Sequence, residues 1–422
     1  MNILYKGFLK IKKHKLLLRN FSNLSFLQLF NIILPLLTYP YLIRVLGKDV
    51  FGLVVFSQSF MQYFIMFINY GFNISSTQAI ALNKDNVKIK SEVISSTLIL
   101  KGILFLISII LILILVLIIP SLKNHYLLFI FSITLCIQEV LFPTWYFLGM
   151  QEMKYITRIN ILSRTMFTIL IFFLVKTSSD YLLVPLISAA GGLIAGAYSL
   201  YILFYEKKYN FVILSRTSLF NTLKNSTYYF TSNMSSVIYS NTGNIILGFT
   251  GNMVQVGFYD IGQKVLGLFK NFISVIEQTI FPNLTVTKNL IFFRSIFKIT
   301  LTITSLMLIA PLMFADNLIN LIGGVDMLPA IESFRIILLA AIPFVISIFY
   351  GHILLLAWDR KEIFLKLKIV ALISYSILVI ICIKFYEINA VSISVVYLLN
   401  EIFVALICLV ISKRLIPTIS KG

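Results

Sequence analysis

Charge is what this sequence has least of. Only 12% of its 422 residues are Asp, Glu, Lys or Arg, about half the share of an ordinary soluble chain, which is too little to cover a water-facing surface. That excludes a soluble enzyme. It also excludes a nucleic-acid reader, despite 35 Lys and Arg against 16 Asp and Glu. Cysteine is equally scarce: Cys136, Cys382 and Cys408 each lie inside an apolar run. With no CxxC pair and no Cys/His cluster, neither a disulfide framework nor a metal site is indicated. The three histidines, His14, His125 and His352, are scattered. No glycine-rich phosphate loop ending in Lys-Ser or Lys-Thr occurs, so the chain hydrolyses no ATP alone. No acid pair stands in an external loop to hold a metal, and no cofactor is expected.

What is present is apolar: 59% of the residues are hydrophobic, and the mean hydropathy is +0.96. A membrane-crossing helix takes roughly 20 apolar residues. Such stretches occur near 21–43, 50–73, 96–119, 125–148, 157–176 and 181–203, then near 227–249, 255–282, 295–315, 331–357, 363–384 and 388–412. Hydrocarbon tolerates no unsatisfied backbone, and these runs are too long for barrel strands, so each reads as an α-helix. The expected fold is an all-α membrane protein of twelve transmembrane helices. A polar stretch, Glu206 to Lys224, follows the sixth span and divides the chain into two six-helix lobes, 1–210 and 211–422. An even number of spans per lobe makes the repeat parallel. Leu46-Gly47 with Phe51-Gly52 is echoed by Leu247-Gly248 with Gly257-Phe258. The basic N-terminus looks like a secretory leader, but the run after it is long, carries Pro35 and Pro40 and lacks a cleavage site. It is expected to be retained.

Basic residues set the orientation. With the N-terminus in the cytoplasm, most of the 35 Lys and Arg gather at cytoplasmic ends and loops, Lys366 and Lys368 among them. Only Arg44, Lys48, Lys123, Lys176, Arg335 and Lys384 fall on the other side. Both termini are therefore expected in the cytoplasm of a multi-pass protein.

Function shows where polar groups sit inside spans, because a Lys, Arg or Asp at a helix centre costs roughly 2.5–3.5 kcal/mol. In the eighth span, Asp260, Gln263, Lys264, Lys270, Asn271, Ser274, Glu277 and Gln278 share an arc of about 140° at about 100° per residue. That stripe fits a water-filled cavity, or else a polar seam in which Asp260 pairs with Lys264 and Lys270 with Glu277. Gln58, Gln62 and Asn69 share a face of the second span, and Asn233, Ser236, Ser240 and Asn244 one of the seventh. Such groups suit sugar hydroxyls and serve equally as interhelical hydrogen bonds. Arg44 and Arg164 either reach an anionic headgroup or snorkel to an interface. Lys101 is expected to snorkel to the cytoplasmic end of its span. Glu139 and Glu401 read as lone intramembrane carboxylates, candidates with Asp260 and Glu277 for coupling an ion.

Three motifs carry a resemblance. Asn23…Gln28…Pro40-Tyr41-Leu42-Ile43-Arg44-Val45-Leu46-Gly47…Phe51-Gly52 resembles the opening of the polysaccharide/O-antigen flippases of the multidrug/oligosaccharidyl-lipid/polysaccharide (MOP) exporter superfamily. Trp145 to Met153 resembles their inner-loop signature, and Val256-Gly257-Phe258-Tyr259-Asp260 with Lys264 their second-half signature. The resemblance implies a V-shaped alternating-access transporter. It would move an undecaprenyl-pyrophosphate-linked oligosaccharide repeat unit across the bacterial plasma (inner) membrane. Lys264, Lys270, Arg164 and Arg44 would be the cations for the pyrophosphate. Membrane lipids are implied as partners, as are a polysaccharide polymerase and a chain-length regulator. A multidrug antiporter of the same superfamily is the alternative; it would hold acids in the first lobe, where only Glu139 lies deep in a span.

Overall fold

The computed structural model describes residues 2–419, with side chains described at 30, 34, 35 and 37–415 apart from 232, 233, 235, 236 and 282. Every regular element among the described residues is helical. The α-helices run α1 (Asn2–Asn69), α2 (Phe72–Leu82), α3 (Val87–Ile118), α4 (Pro120–Lys123), α5 (Tyr126–Ser132), α6 (Ile137–Leu141), α7 (Thr144–Gly149), α8 (Met153–Leu174) and α9 (Leu183–Tyr201). The second half continues with α10 (Arg216–Phe249), α11 (Met253–Thr287), α12 (Leu290–Met313), α13 (Ala315–Gly323), α14 (Ile331–Leu339), α15 (Ala341–Ile346), α16 (Leu354–Ala357), α17 (Lys361–Phe385) and α18 (Ala390–Ile419).

Helix covers each of the twelve predicted stretches. Nine helical stretches among the described residues are long and apolar enough to cross a membrane. α10 and α11 have the length, 34 and 35 residues, but are interrupted by amides, hydroxyls and charges. Outward faces are bare hydrocarbon: Leu106 on α3 and Ile380 on α17 are more than half exposed, as lipid rather than water would permit. Several spans are broken rather than straight. The fourth is α5, a 3₁₀ turn, α6 and α7, split at Phe142–Pro143. The tenth is α14, α15, a π-helical segment Ser347–Ile353 and α16.

The chain packs as two units: residues 1–45 with 60–234, and 46–59 with 235–422. In the first, Trp145, Tyr146 and Phe147 are fully buried among Ile80, Ile94 and Ile159. In the second, Ile273, Phe293, Val345 and Phe349 form a fully buried core.

Gly47 breaks α1 at φ 76°, ψ 163°, a conformation essentially closed to other residues; it separates the first two predicted spans. The echoed glycine motifs turn out to pack on each other in the second unit. A Cβ on Gly52 would stand 1.7 Å from the Met253 carbonyl oxygen, and one on Gly248 would stand 2.1 Å from the Phe56 ring. The glycines are there because backbone and ring approach so closely. Gly52→Ala should therefore sharply lower the amount of folded protein that survives heating in detergent. Gly102→Ala, where a Cβ meets nothing within 4 Å, should hold or raise it, since alanine in a helix gains roughly 0.5–1 kcal/mol over glycine. Size-exclusion chromatography after a temperature series reads both.

Candidate functional site

The second unit holds a cavity of about 300 Å³ inside its helices, lined by residues of α10, α11, the broken tenth span, α17 and α18. Its chemistry is charged. Lys270 of α11 and Lys368 of α17 reach it from two walls, with His352 from the π-helical segment and Glu401 from α18.

Lys270 donates to the Tyr397 hydroxyl, which donates in turn to Glu401 Oε1 at 2.9 Å. The ammonium lies 4.0 Å from that same oxygen. It also sits 4.8 Å from the centre of the Phe344 ring and 5.1 Å from that of Tyr397, where aromatic faces add cation–π attraction. Tyr397 and Glu401 share one face of α18 at i, i+4, and stacking on Tyr239 (ring centres 5.1 Å apart) fixes the Tyr397 ring. Glu277, two turns beyond Lys270, pairs with His352 Nδ1. The His352 ring packs 5.0 Å from the Phe364 ring, and the Lys368 ammonium lies 5.6 Å from the centre of that same ring. π-Helical insertions recur at functional sites because they re-aim side chains; this one carries Ser347, Gly351 and His352 into the cavity wall.

Several sequence expectations are corrected. Lys270 does not pair with Glu277: seven residues of helix rise about 10.5 Å, and each finds a nearer partner on another element. Glu401 is no lone carboxylate, being bonded to Tyr397 and close to Lys270. Lys368, counted among the cytoplasmic-end lysines, lines the cavity. In the first unit, Lys101 does not snorkel. It is fully buried and donates to Glu139 Oε1 at 2.7 Å and to the Glu139 backbone carbonyl at 3.0 Å. Glu139 is thus not a lone acid either; Asn69 Nδ2 also donates to it, at 2.8 Å.

The α11 stripe resolves into two rows of seven-residue spacing. Gln263, Lys270 and Glu277 turn partly inward, whereas Lys264, Asn271 and Gln278 are exposed. Gln263 donates to the Tyr259 hydroxyl at 2.7 Å, and buried Asp260 accepts from Asn244 at 3.1 Å. Ser274 accepts from Gln278 at 3.1 Å. Gln58 is half-buried, and Gln62, Arg44 and Arg164 are exposed; none of these four lines the cavity. The side chains of Asn233 and Ser236 lie outside the described residues. His352 and Tyr397 carried no legible signal, because their partners are distant in sequence.

The architecture matches that of the MOP-superfamily transporters. The chain aligns over 93% of its length with 99% of an inward-facing multidrug resistance MATE family transporter, at TM-score 0.72 and 12% identity. It aligns over 92% of its length with 87% of the lipid II flippase MurJ in an inward closed conformation, at TM-score 0.76 and 14% identity. In sequence, 88% of the chain aligns at 30% identity with 91% of a protein of Escherichia coli (strain K12) described as an O-antigen transporter. A similarly described protein of Shigella dysenteriae aligns with 48% of the chain, also at 30% identity. Residues 17–288 match the family model for polysaccharide biosynthesis proteins. The chain belongs to that polysaccharide biosynthesis protein family, and it is a multi-pass membrane protein.

The assignment of partners is testable by double-mutant cycles. Lys270→Met with Glu401→Gln should show coupling of about 0.5–3 kcal/mol in thermal stability, as groups in one network do. Lys270→Met with Glu277→Gln should be additive within about 0.5 kcal/mol. The reverse pattern would restore the pairing of Lys270 with Glu277.

Proposed function

We propose that the protein is a flippase, not an enzyme, that carries an undecaprenyl-pyrophosphate-linked oligosaccharide repeat unit of O-antigen, capsule or exopolysaccharide across the bacterial inner membrane. The observation that carries this reading is the cavity of the second unit, where two lysines and a histidine stand inside the membrane-spanning helices. A pyrophosphate needs cationic partners on a path through low dielectric, and ammonium groups held by aromatic rings and single carboxylates can exchange those partners for a phosphate. Lys264, Asn271 and Gln278 form the exposed row of α11 that a sugar chain would meet on the same path, with Gln58, Gln62, Arg44 and Arg164 as further candidates. The relative described as an O-antigen transporter, aligned over nine-tenths of both chains, supports the substrate class.

A multidrug antiporter fits less well. Organic cations call for an acid, and in the first unit Glu139 is already neutralised by Lys101. Among the carboxylates proposed for ion coupling, Asp260 and Glu139 are committed to Asn244 and Lys101. Glu401 lines the cavity and Glu277 backs His352, which makes these two the coupling candidates. The proposal includes two six-helix lobes, 1–210 and 211–422, that alternate access with both termini in the cytoplasm. Contacts to a polymerase and a chain-length regulator belong to it as well.

In a strain lacking the gene, Lys270→Ala should lower surface polysaccharide by an order of magnitude or more at matched protein level, and Lys270→Arg should retain part of it, since the charge survives with altered geometry. Wild-type polysaccharide from the Lys270→Ala/Lys368→Ala double variant would place the headgroup site elsewhere. Topology is checked separately with an impermeant thiol reagent on intact spheroplasts. A cysteine in the segment 207–215 should stay unlabelled and one at Asn252 should label; the opposite result would invert the orientation.

A further inference from the structure

The first unit contains a charged cluster that the proposed substrate path does not use. Its origin is a proline. In an unbroken helix the Glu139 carbonyl would accept the N–H of residue 143, but that residue is Pro143, which has none. The chain turns extended at Phe142 (φ −95°, ψ 101°), and α6 ends. The fully buried Lys101 ammonium takes up the freed carbonyl at 3.0 Å and the carboxylate of the same residue at 2.7 Å. One side chain thus answers both the backbone gap and the charge.

A second break is tied to the first. α1 ends at Asn69, and the next two residues take positive φ, 43° at Tyr70 and 80° at Gly71. The Asn69 side chain donates to Glu139 at 2.8 Å, and its oxygen accepts the Asn73 N–H at 3.4 Å in the first turn of α2. Beyond the breaks, α2 and α7 pack closely as a pair. Thr77 donates to the Trp145 carbonyl at 3.1 Å, and a Cβ on Gly149 would stand 2.8 Å from Ile80. α2 in turn grips the start of α10, the helix that continues from the first unit into the second. Ser75 and Ser226 share a hydrogen bond of 2.7 Å, the Tyr229 hydroxyl donates to Gln78 at 2.8 Å, and Tyr70 stacks on Phe230 with ring centres 4.5 Å apart.

We propose that Lys101 is a positioning residue for transport: through Glu139 and Asn69 it sets the direction in which the half-helices α2 and α7 leave their broken spans, and hence the seat of α10. The claim rests on the transport reading above, but its structural part does not depend on the substrate. Lys101→Met alone leaves a carboxylate without its counter-charge, which should keep the protein from accumulating. Lys101→Met/Glu139→Gln removes both charges and leaves an amide that Asn69 can still bond, so it is the informative variant.

The test uses the full-length protein in membranes carrying Ser76→Cys. Ser76 on α2 is 3% exposed and bonded to Thr97 at 2.9 Å, so the new thiol should react slowly with a small hydrophilic maleimide. In the Lys101→Met/Glu139→Gln background the labelling rate should rise at least fivefold, and surface polysaccharide should fall about tenfold at equal protein level. Lys101→Arg should keep both near wild type. An unchanged labelling rate overturns the positioning role whatever the polysaccharide does. Faster labelling with wild-type polysaccharide overturns the link to transport. If deleting the gene leaves surface polysaccharide intact, the flippase reading fails, while the labelling rates still decide what Lys101 holds in place.

Discussion

A polar group placed in hydrocarbon has to be answered by another, and the described structure is organised around meeting that requirement. Water supplies no alternative partner at that depth, and an unpaired buried charge costs several kcal/mol. Lys101 is answered by Glu139, Lys270 by Tyr397 and Glu401, and Glu277 by His352. The backbone obeys the same rule where spans break: the Glu139 carbonyl freed by Pro143 is met by an ammonium. Each answer comes from a different helix, so satisfying charge also fixes how helices pack.

The two units use this rule to different ends. In the first, the ammonium is sealed: Lys101 is fully buried while its partner Glu139 keeps about a fifth of its side chain exposed, and its partners tie two helix breaks together. In the second, the pairs border a cavity, and Lys270 and His352 keep a quarter and a third of their side chains exposed. A sealed ammonium holds a shape. On a cavity wall an arriving anion can share the ammonium with its carboxylate, while the Tyr397 hydroxyl stays on Glu401. That difference is what makes the second cavity a candidate for the headgroup and the first cluster a candidate for positioning.

Much of the fold was legible in the sequence, because it rests on properties local to a segment. Run lengths gave the spans, and Gly47 lay at the predicted break between the first two; the echo of glycine motifs, read as a repeat, gave no hint that the two motifs pack on each other. The polar stripe of α11 was legible as a face, since helical periodicity alone defines one, but of its eight residues Lys270 alone lines the cavity. Partners were not. The period says that Lys270 faces inward but not whether residue 277 of the same helix or residue 397 of another lies nearer. Lys101 was misplaced, and the cavity face of Lys368 missed, for a related reason. Counting distance from a span's end assumes a straight helix lying against lipid, whereas Lys101 sits behind a broken span and Lys368 against a cavity.

The central claim is that these paired charges serve the passage of an anionic lipid-linked saccharide. The most direct test places purified protein in liposomes with a fluorescent undecaprenyl-pyrophosphate oligosaccharide and follows its access to an impermeant quencher. The account predicts that wild-type protein makes the inner-leaflet pool accessible and that Lys270→Ala does so at least tenfold more slowly. Protein that leaves the inner pool sealed, while driving an organic cation across the same liposomes, would contradict it.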